Sequence, residues 1–460
     1  MSKSRFLIID PEEAFHPAKG KIQPKNGPLA VKGANEDSER IIEMLEANID
    51  AEVYVSLDSH TIKHIGHYDF WKREVSVMNM YLQKTDSVES LQGLPILIEQ
   101  ETSKLFIQKG KAKVYIEARD PALKTYAKNY VKELYEKDKV DNLGKLPMLW
   151  PTHCVIGDKT KGRAIYPPLF EAIKERTNVK YYKKGENELA EMYSIFKSEL
   201  QPNDIENGEG KDSAEAKDSA EAKDNGLTAY FNGKPATSGN STGNVKSTEI
   251  KKIQDGGVEE GGLYLNTEFN AGGGSLYNEL INGATLENPV DIYICGEALS
   301  HCVNYSLRHL VEKLKADTKE HVNVHLVLNC SSTVVLPGPK FFGSSVKLID
   351  DILIKYKDYC DIVFWDGRAL ISSEYIVKKT ISVFAEMAGK DGLGKDGYVE
   401  KTYQEYLDSK HGLTVAFEAQ NAQKLKAKGG KRTKKKRRSK TQKKRKGQIK
   451  KSKRHRRSRK

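Results

Sequence analysis

The sequence lacks the features of membrane and secreted proteins. No apolar run in its 460 residues approaches the roughly 20 residues that a membrane-spanning helix needs. The first apolar stretch is too short for a secretory signal peptide and ends at Asp10. Only five cysteines are present, without a C-x-x-C pair, which argues against a disulfide framework or a zinc ribbon. We therefore expect an intracellular protein, cytoplasmic or nuclear, that is neither secreted nor bound to a membrane.

Acidic residues are absent from one end of the chain. Residues 424–460 contain 23 Lys and Arg and no Asp or Glu, whereas residues 1–423 contain 53 Lys and Arg against 63 Asp and Glu. The formal net charge of +13 therefore combines an acidic body with a strongly basic tail. Residues 429–460 have no aromatic side chain to stack on bases, so nucleic-acid binding by this segment would be electrostatic and sensitive to salt.

Short runs of β-branched and aromatic residues alternate with segments of helical period. The strand-like runs are residues 6–10, 51–58, 179–185, 290–296, 322–329 and 360–366, and the helical segments are 38–49, 302–314 and 344–356. Alternation of this kind is typical of βαβ units. The sequence thus predicts an α/β fold, a three-layer sandwich with a mostly parallel sheet, whose functional site lies where the strands end.

Composition divides the chain into segments. Residues 1–370 carry the alternating pattern and form one predicted domain with two insertions. Residues 68–145 are interpreted as a lid-like insertion, and residues 202–262, which contain a tandem KDSAEA repeat, as a flexible low-complexity insertion. Residues 371–423 predict a C-terminal helical extension, and residues 424–460 predict a disordered basic tail.

Two strand ends carry residues suited to nucleophilic chemistry. Cys302 follows the strand and turn of ICGEALSHC and begins a helix, where the positive end of the helix dipole favours the thiolate. Asp10 ends the first strand, at the edge where parallel sheets form their sites. The alternative interpretations are a structural cysteine in a core helix and an ordinary turn aspartate.

A carboxylate and three imidazoles cluster after the second strand. Asp58, His60, His64 and His67 fall within ten residues, and this combination of ligand types suits zinc, iron or manganese. A polar loop with incidental histidines is the alternative.

Two further segments carry candidate residues. His153 follows the rigid turn that Trp150 and Pro151 form, and taken alone it is more typical of a packed histidine than of a ligand. Lys183 or Lys184 ends another strand, where an ammonium group would stabilise a thiolate or a developing anion. The sequence alone does not decide between the two lysines, because a shift of one residue moves a side chain to the other face of a strand.

The order of these motifs resembles the nicotinamidase/isochorismatase-like cysteine hydrolase family, and most closely its larger nicotinamidase-like subgroup. The subgroup patterns LDxHT, LWPxHC, KGxNxxxExYS and GxAxSHC stand here as Leu57–Thr61, Leu149–Cys154, Lys184–Ser194 and Gly296–Cys302. The resemblance covers most of residues 5–335. It implies an isochorismatase-like hydrolase domain over residues 1–370 and an enzyme that hydrolyses a linear carboxamide C–N bond, as the nicotinamidases of NAD salvage do.

The resemblance also implies roles for individual residues. Cys302 would attack the amide carbonyl to form a thioester, Asp10 would move the protons, and Lys184 would stabilise negative charge. Backbone N–H groups of Ala298 and Cys302 would form the oxyanion hole, and a cis peptide bond would join Glu297 and Ala298.

A metal site is part of the same resemblance. It implies a divalent metal, zinc in the first place with iron and manganese as alternatives, that holds the pyridine nitrogen of the substrate. The implied ligands are Asp58, His60, His64 and His153, with His67 as a competitor to His64.

The resemblance also implies a pocket for the substrate ring, and the sequence differs from the family pattern in two places that concern the substrate. Phe15 and Trp150 would line the pocket for the substrate ring. The usual Asp-x-Gln motif is here Asp10-Pro-Glu12, and the segment before His153 is far longer than in compact nicotinamidases. Both departures bear on which amide is bound more than on the chemistry.

Other functions remain open from the sequence. A carbamoyl amidohydrolase of the same fold would use the cysteine without the metal. A non-catalytic, nucleic-acid-associated protein would act through the basic tail, whose composition resembles C-terminal extensions of many large DNA virus proteins. For an enzyme, the expected partner is a small-molecule amide, and the sequence leaves a homo-oligomer open.

Overall fold

A computed structural model of the chain describes residues 3–21, 23–74, 91–99, 101–109, 111–141, 147–200, 205, 250, 254, 264–265, 275–334, 348, 351–352 and 355–372. Chain contacts divide the protein into residues 1–389 and 390–460, and every described residue lies in the first of these units. The predictions for residues 202–262, apart from a few positions, for 371–423 beyond Ser372, and for 424–460 lie outside the described residues.

Strands and helices alternate within residues 3–58 and 275–327, as the sequence predicts, whereas residues 71–118 contain four consecutive strands. The strands are β1 Lys3–Ile9, β2 Glu52–Asp58, β3 Trp71–Arg73, β4 Leu94–Ile98, β5 Leu105–Lys109, β6 Ala112–Ala118, β7 Met148–Leu149, β8 Val179–Lys184, β9 Tyr264–Leu265, β10 Val290–Gly296, β11 Val322–Val327, β12 Cys360–Trp365 and β13 Leu370–Ser372. The α-helices are α1 Ala34–Ala47, α2 Lys124–Asp141, α3 Pro167–Ile173, α4 Ser275–Ile281 and α5 Cys302–Ala316. Short 3-10 turns cover Glu13–Phe15, Tyr68–Phe70, Pro121–Leu123, Lys159–Lys161 and Leu328–Cys330.

The main sheet confirms the predicted fold class. In the described part of the chain it has eight strands in the order β13-β12-β11-β10-β1-β2-β8-β9, and all neighbours are parallel except β12 and β13. Central strands of such a sheet are buried on both faces and are therefore apolar throughout. In β1, Phe6 and Ile8 pack with α1 and α3, whereas Leu7 and Ile9 pack with α4 and α5. Helices on both faces of a mostly parallel sheet make a three-layer α/β sandwich.

A second, antiparallel sheet lies between β2 and α3 in the chain. Its strand order is β3-β6-β5-β4-β7, and its apolar core includes one side of α2. The stretch predicted as an insertion, residues 68–145, supplies most of this unit, and the last strand, β7, lies just beyond it. No helix in the described ranges has the length and apolar character required to cross a membrane.

The parallel register brings four strand ends to one place. Strands β10, β1, β2 and β8 are neighbours, and their pairing sets Ile9 beside Gly296 and Asp58 beside Lys184. Gly296 has φ of 109°, and a Cβ there would lie 2.1 Å from the carbonyl oxygen of Ile9, so only glycine fits this crossing. The candidate residues at these ends therefore meet at the carboxyl edge of the sheet.

Candidate active site

Asp10 is held firmly in a strained position at the end of β1. Its φ is 46°, a left-handed conformation that is uncommon for a residue other than glycine. The Ser56 hydroxyl donates to Asp10 Oδ1 at 2.6 Å and accepts from the Asp10 backbone N–H at 2.9 Å. The carboxyl is fully buried, and burial raises its pKa above the ordinary value although the nearby Lys184 acts in the opposite direction.

Lys184 lies at the centre of the site. Its Nζ is 3.0 Å from Asp10 Oδ2, 2.9 Å from Asp58 Oδ1 and 3.7 Å from Cys302 Sγ, and it donates to the Met192 carbonyl at 3.2 Å. Burial opposes the charge of this ammonium group, but the two carboxylates outweigh burial and raise its pKa well above the usual range. Lys184 is therefore a permanent cation between two acids.

The neighbouring Lys183 lies on the opposite side of the strand. Its ammonium pairs with Glu186 Oε1 at 2.7 Å, and its side chain keeps 13% of its surface exposed, against 1% for Lys184. The strand alternation thus directs Lys184, and not Lys183, into the site.

Cys302 is the first residue of α5, as the sequence predicts, but its thiol is not a ready thiolate. Burial raises its pKa well above the usual range, and the favourable effect of Lys184 is smaller. Burial therefore opposes the preference for the thiolate that the helix N-terminus predicts. The thiol needs a proton acceptor beside it, and Asp10 is in contact with it.

The turn before Cys302 presents backbone donors. The predicted cis peptide bond between Glu297 and Ala298 is confirmed. Among the described residues, no acceptor is found for the backbone N–H of Ala298 or of Cys302. The first N–H groups of a helix have no partner within the helix, so they can bind an anion.

Two histidines converge on Asp58. His60 Nε2 is 2.8 Å and His153 Nε2 is 3.3 Å from Asp58 Oδ2. The other ring nitrogen of each, Nδ1, is bound to a backbone carbonyl, that of Gly185 at 2.9 Å for His60 and that of Pro151 at 2.7 Å for His153. These carbonyls require Nδ1–H, so in the neutral rings both Nε2 lone pairs face the carboxylate. Lone pairs and a carboxylate at this separation need a shared cation or proton.

Gly185 makes the approach of His60 feasible. It has φ of +78°, and a Cβ there would lie 2.6 Å from His60 Cε1 and 2.9 Å from His60 Nδ1. A side chain at this position would therefore displace the imidazole.

His64 and His67 differ in what their ring nitrogens do. His64 Nε2 donates to the Ala190 carbonyl at 3.0 Å, and its Nδ1 accepts from the Gly66 N–H at 3.1 Å. His67 is fully buried, yet within the described residues neither of its ring nitrogens has a hydrogen-bond partner. Its ring centroid is 5.0 Å from those of His60 and His153. Burial, assisted by the other histidines, lowers the pKa of His67 well below the usual range, so it is a neutral ring with a lone pair to donate.

The donor set fits a divalent metal ion. Asp58, His60 and His153 form one group that could hold a metal, and His60, His64 and His67 form a second, with the ligand atoms of each group within 4.8 Å of one another. Carboxylate and imidazole are the ligands that zinc, iron and manganese accept. The unpartnered nitrogens of His67 are a further reason to expect a cation here.

A small cavity beside Cys302 has an aromatic wall. Phe15 and Trp150, the predicted ring-binding residues, both line it, and Phe15 meets His153 edge to face at 5.6 Å between ring centroids. Tyr193 also lines it, and its hydroxyl accepts from the Trp150 indole N–H at 3.2 Å. The cavity therefore combines aromatic side chains with the charged groups beside Cys302.

Five residues of the cavity wall were not singled out from the sequence. They are Leu29, Glu191, Tyr193, His301 and Val334. Glu191 and Tyr193 belong to the KGxNxxxExYS pattern, and His301 directly precedes Cys302, so these motifs contained a signal. Burial raises the pKa of Glu191 to about 7, so this carboxyl is easily protonated within the wall.

Comparisons with known proteins give structural matches only. No family model and no curated protein sequence matches the chain. Its fold is similar to a nicotinamidase/pyrazinamidase of Acinetobacter baumannii, at 13% identity and a TM-score of 0.33 over 76% of this chain and 93% of that one. The yeast nicotinamidase gives 14% identity and a TM-score of 0.36 over 78% and 98%. A zinc complex of the Pyrococcus horikoshii pyrazinamidase gives 11% and 0.31 over 79% and 99%. These values are too low to carry a function from those proteins to this chain.

Proposed function

We propose that the protein is a metal-dependent cysteine amidohydrolase for a small aromatic carboxamide, with nicotinamide as the first candidate. One observation carries the proposal. The Lys184 ammonium lies within 3.0 Å of Asp10, within 2.9 Å of Asp58 and 3.7 Å from the sulfur of Cys302. It thereby joins a nucleophile, a proton acceptor and a metal-binding cluster in one buried site.

The chemistry follows from the protonation states. Cys302 is a neutral thiol, and as its sulfur attacks the amide carbon its proton passes to Asp10. The carbonyl oxygen becomes an oxyanion and receives hydrogen bonds from the N–H groups of Ala298 and Cys302. Asp10 then returns the proton to the amide nitrogen, and the C–N bond breaks. Ammonia departs, and the acyl group remains on the sulfur as a thioester.

The second half-reaction releases the acid. Asp10 takes a proton from a water molecule that attacks the thioester carbon, and the same two N–H groups bind the oxyanion. The C–S bond breaks, the carboxylic acid leaves, and the proton returns to the sulfur of Cys302. Lys184 remains protonated throughout and stabilises whichever of Asp10 and Cys302 carries the negative charge.

The metal would be held by Asp58, His60, His153 and His67. We prefer His67 to His64 because both nitrogens of His64 are already hydrogen-bonded, whereas those of His67 have no partner among the described residues. When bound, the metal would supply a Lewis-acidic site for a ring nitrogen of the substrate. Zinc is the first candidate, with iron and manganese as alternatives.

Ammonia release tests the proposal. Purified protein is assayed with nicotinamide, with benzamide, which lacks the ring nitrogen, and with an N-carbamoyl amino acid, each with and without a chelator. We expect release from nicotinamide that the chelator abolishes and added zinc restores. Release from the carbamoyl compound alone, unaffected by the chelator, would instead support a carbamoyl amidohydrolase.

We also propose an electrostatic role for the basic tail, because residues 424–460 concentrate 23 positive charges without one negative charge. Binding of nucleic acid through such a segment would release counterions and weaken steeply with salt. The test compares the full chain with a chain that ends at Lys428, by titration of labelled DNA and RNA at several salt concentrations. Salt-sensitive binding that is lost with the tail is expected, and equal binding by both chains would contradict this role.

A further inference from the structure

We infer that helix α2 of the second sheet unit positions the active site by fixing the backbone of residues 189–192, with Tyr126 and Tyr130 as the positioning residues. This inference rests on the proposed function, since it concerns the same cysteine and lysine. Residues 68–145, predicted as a lid-like insertion, would then have a different role, which is to hold one wall of the site in place.

Residues 189–192 form an irregular segment with no helix or strand hydrogen bonds of their own. Some of its backbone groups have local partners, since the Ala190 N–H donates to the Asn187 carbonyl at 3.2 Å and the Glu191 carbonyl accepts from the Glu199 N–H at 3.0 Å. The remaining buried groups need partners from other parts of the chain. The Tyr126 hydroxyl donates to the Leu189 carbonyl at 2.7 Å, and the Glu191 N–H donates to the Tyr130 hydroxyl at 2.7 Å. The two hydroxyls of α2 therefore bind the segment two residues apart.

The same segment is bound from the other side by the active site. The Ala190 carbonyl accepts from His64 Nε2 at 3.0 Å, and the Met192 carbonyl accepts from Lys184 Nζ at 3.2 Å. Four consecutive residues thus alternate between contacts to α2 and contacts to the histidine cluster and Lys184. A displacement of this backbone would move the acceptor that helps to fix the Lys184 ammonium.

Tyr126 and Tyr130 are a rigid pair. They stand four residues apart on α2, so they share one face of the helix, and their rings stack at 6.0 Å between centroids. Only 5% of Tyr126 and 1% of Tyr130 is exposed, and both pack in the core that also contains Leu189 and Ala190. Hydroxyls on rings held in this way define the position of what they bind.

The insertion acts on the cavity indirectly. None of the described residues in 68–145 lines the cavity beside Cys302. Glu191 and Tyr193, which adjoin or belong to the bound segment, do line it. The contact from α2 therefore reaches the substrate site through the backbone of residues 189–192.

The test removes the two hydroxyls with Tyr126→Phe and Tyr130→Phe, singly and together. Tyr115→Phe is the matched control, because its hydroxyl belongs to the same unit but bonds Glu99 on an outer face at 3.1 Å. We expect kcat for the amide to fall about 10–100-fold in the double variant with a smaller change in KM, since small misplacements of catalytic groups cost this much. The control should retain the wild-type kcat.

A second readout does not depend on the identity of the substrate. The rate of Cys302 alkylation by iodoacetamide at pH 8 reports the influence of Lys184 on the thiol, and we expect it to fall severalfold in the double variant but not in Tyr115→Phe. If no amide is hydrolysed but alkylation slows, the proposed substrate is wrong and the positioning role stands. If kcat and alkylation both match the wild type while only the melting temperature falls, the tyrosines are merely structural and the inference is overturned. Should Tyr130→Phe fail to fold, Tyr126→Phe alone provides the same comparison.

Discussion

Replacing Lys184 with methionine should destabilise the protein strongly. The substitution keeps an unbranched side chain, one atom shorter, but removes the ammonium that lies 3.0 Å from Asp10 and 2.9 Å from Asp58. Both carboxylates are buried, and Asp10 would then lose the ammonium that lies against it. Removing one partner from a buried ion pair costs about 3–5 kcal/mol. We expect the free energy of unfolding at pH 7, from urea titration followed by circular dichroism, to fall by about this amount.

Lys183→Met is the matched control on the same strand. Lys183 pairs with the partly exposed Glu186, and such surface pairs contribute about 0–1 kcal/mol. Adding Asp10→Asn to Lys184→Met removes the uncompensated negative charge of Asp10. The double variant should recover at least about 1 kcal/mol of unfolding free energy. The loss of unfolding free energy in Lys184→Met should also become smaller as the pH falls towards 4. Without the cation, the pKa of Asp10 rises further. An acid with a raised pKa destabilises the fold only at pH values where it is ionised. Equal losses for the two lysine variants would refute the assignment of Lys184 to the centre of the site.

Three further predictions concern the metal cluster and the thiol. His67→Ala should weaken zinc binding at least about 100-fold in competition with a chromophoric chelator, and His64→Ala should weaken it less; the reverse order would show that His64 is the ligand. Gly185→Ala should lower the free energy of unfolding by about 1–2 kcal/mol and reduce the zinc content, because its Cβ would meet His60 and its φ is positive; an unchanged zinc content would contradict this. Alkylation of Cys302 should accelerate with pH through pH 9 without a plateau, because burial raises the thiol pKa and ionisation requires higher pH; a plateau below pH 8 would contradict the buried neutral thiol.

The sequence predicts the strand ends well because the residues that determine them are close together in the chain. Short apolar runs, and the polar residues and glycines that bound them, predict the ends of β1, β2, β8 and β10. The parallel sheet then brings Asp10, Asp58 and Cys302 together. Whether Lys183 or Lys184 joins them depends on register, which is set by the pairing of β8 with β2 and not by either segment alone.

The features that the sequence does not predict depend on long-range contacts. His64 and His67 lie in the same loop after β2, but the carbonyl that binds His64 Nε2 belongs to Ala190, 126 residues away in the chain. Tyr126 and Tyr130 look like ordinary core residues of a helix until residues 189–192 pack against them. The thiol of Cys302 is governed by burial, which a helix N-terminus read from the sequence does not report.

The most direct test of the central claim is ammonia release from nicotinamide by Cys302→Ala beside the wild type and Cys360→Ala, with the metal content of all three measured. Cys360 is buried in β12, away from the site, so its substitution controls for the loss of a core thiol. We expect Cys302→Ala to release no ammonia while it keeps its metal, and Cys360→Ala to remain active. Wild-type turnover by Cys302→Ala would contradict the role of this cysteine as the nucleophile.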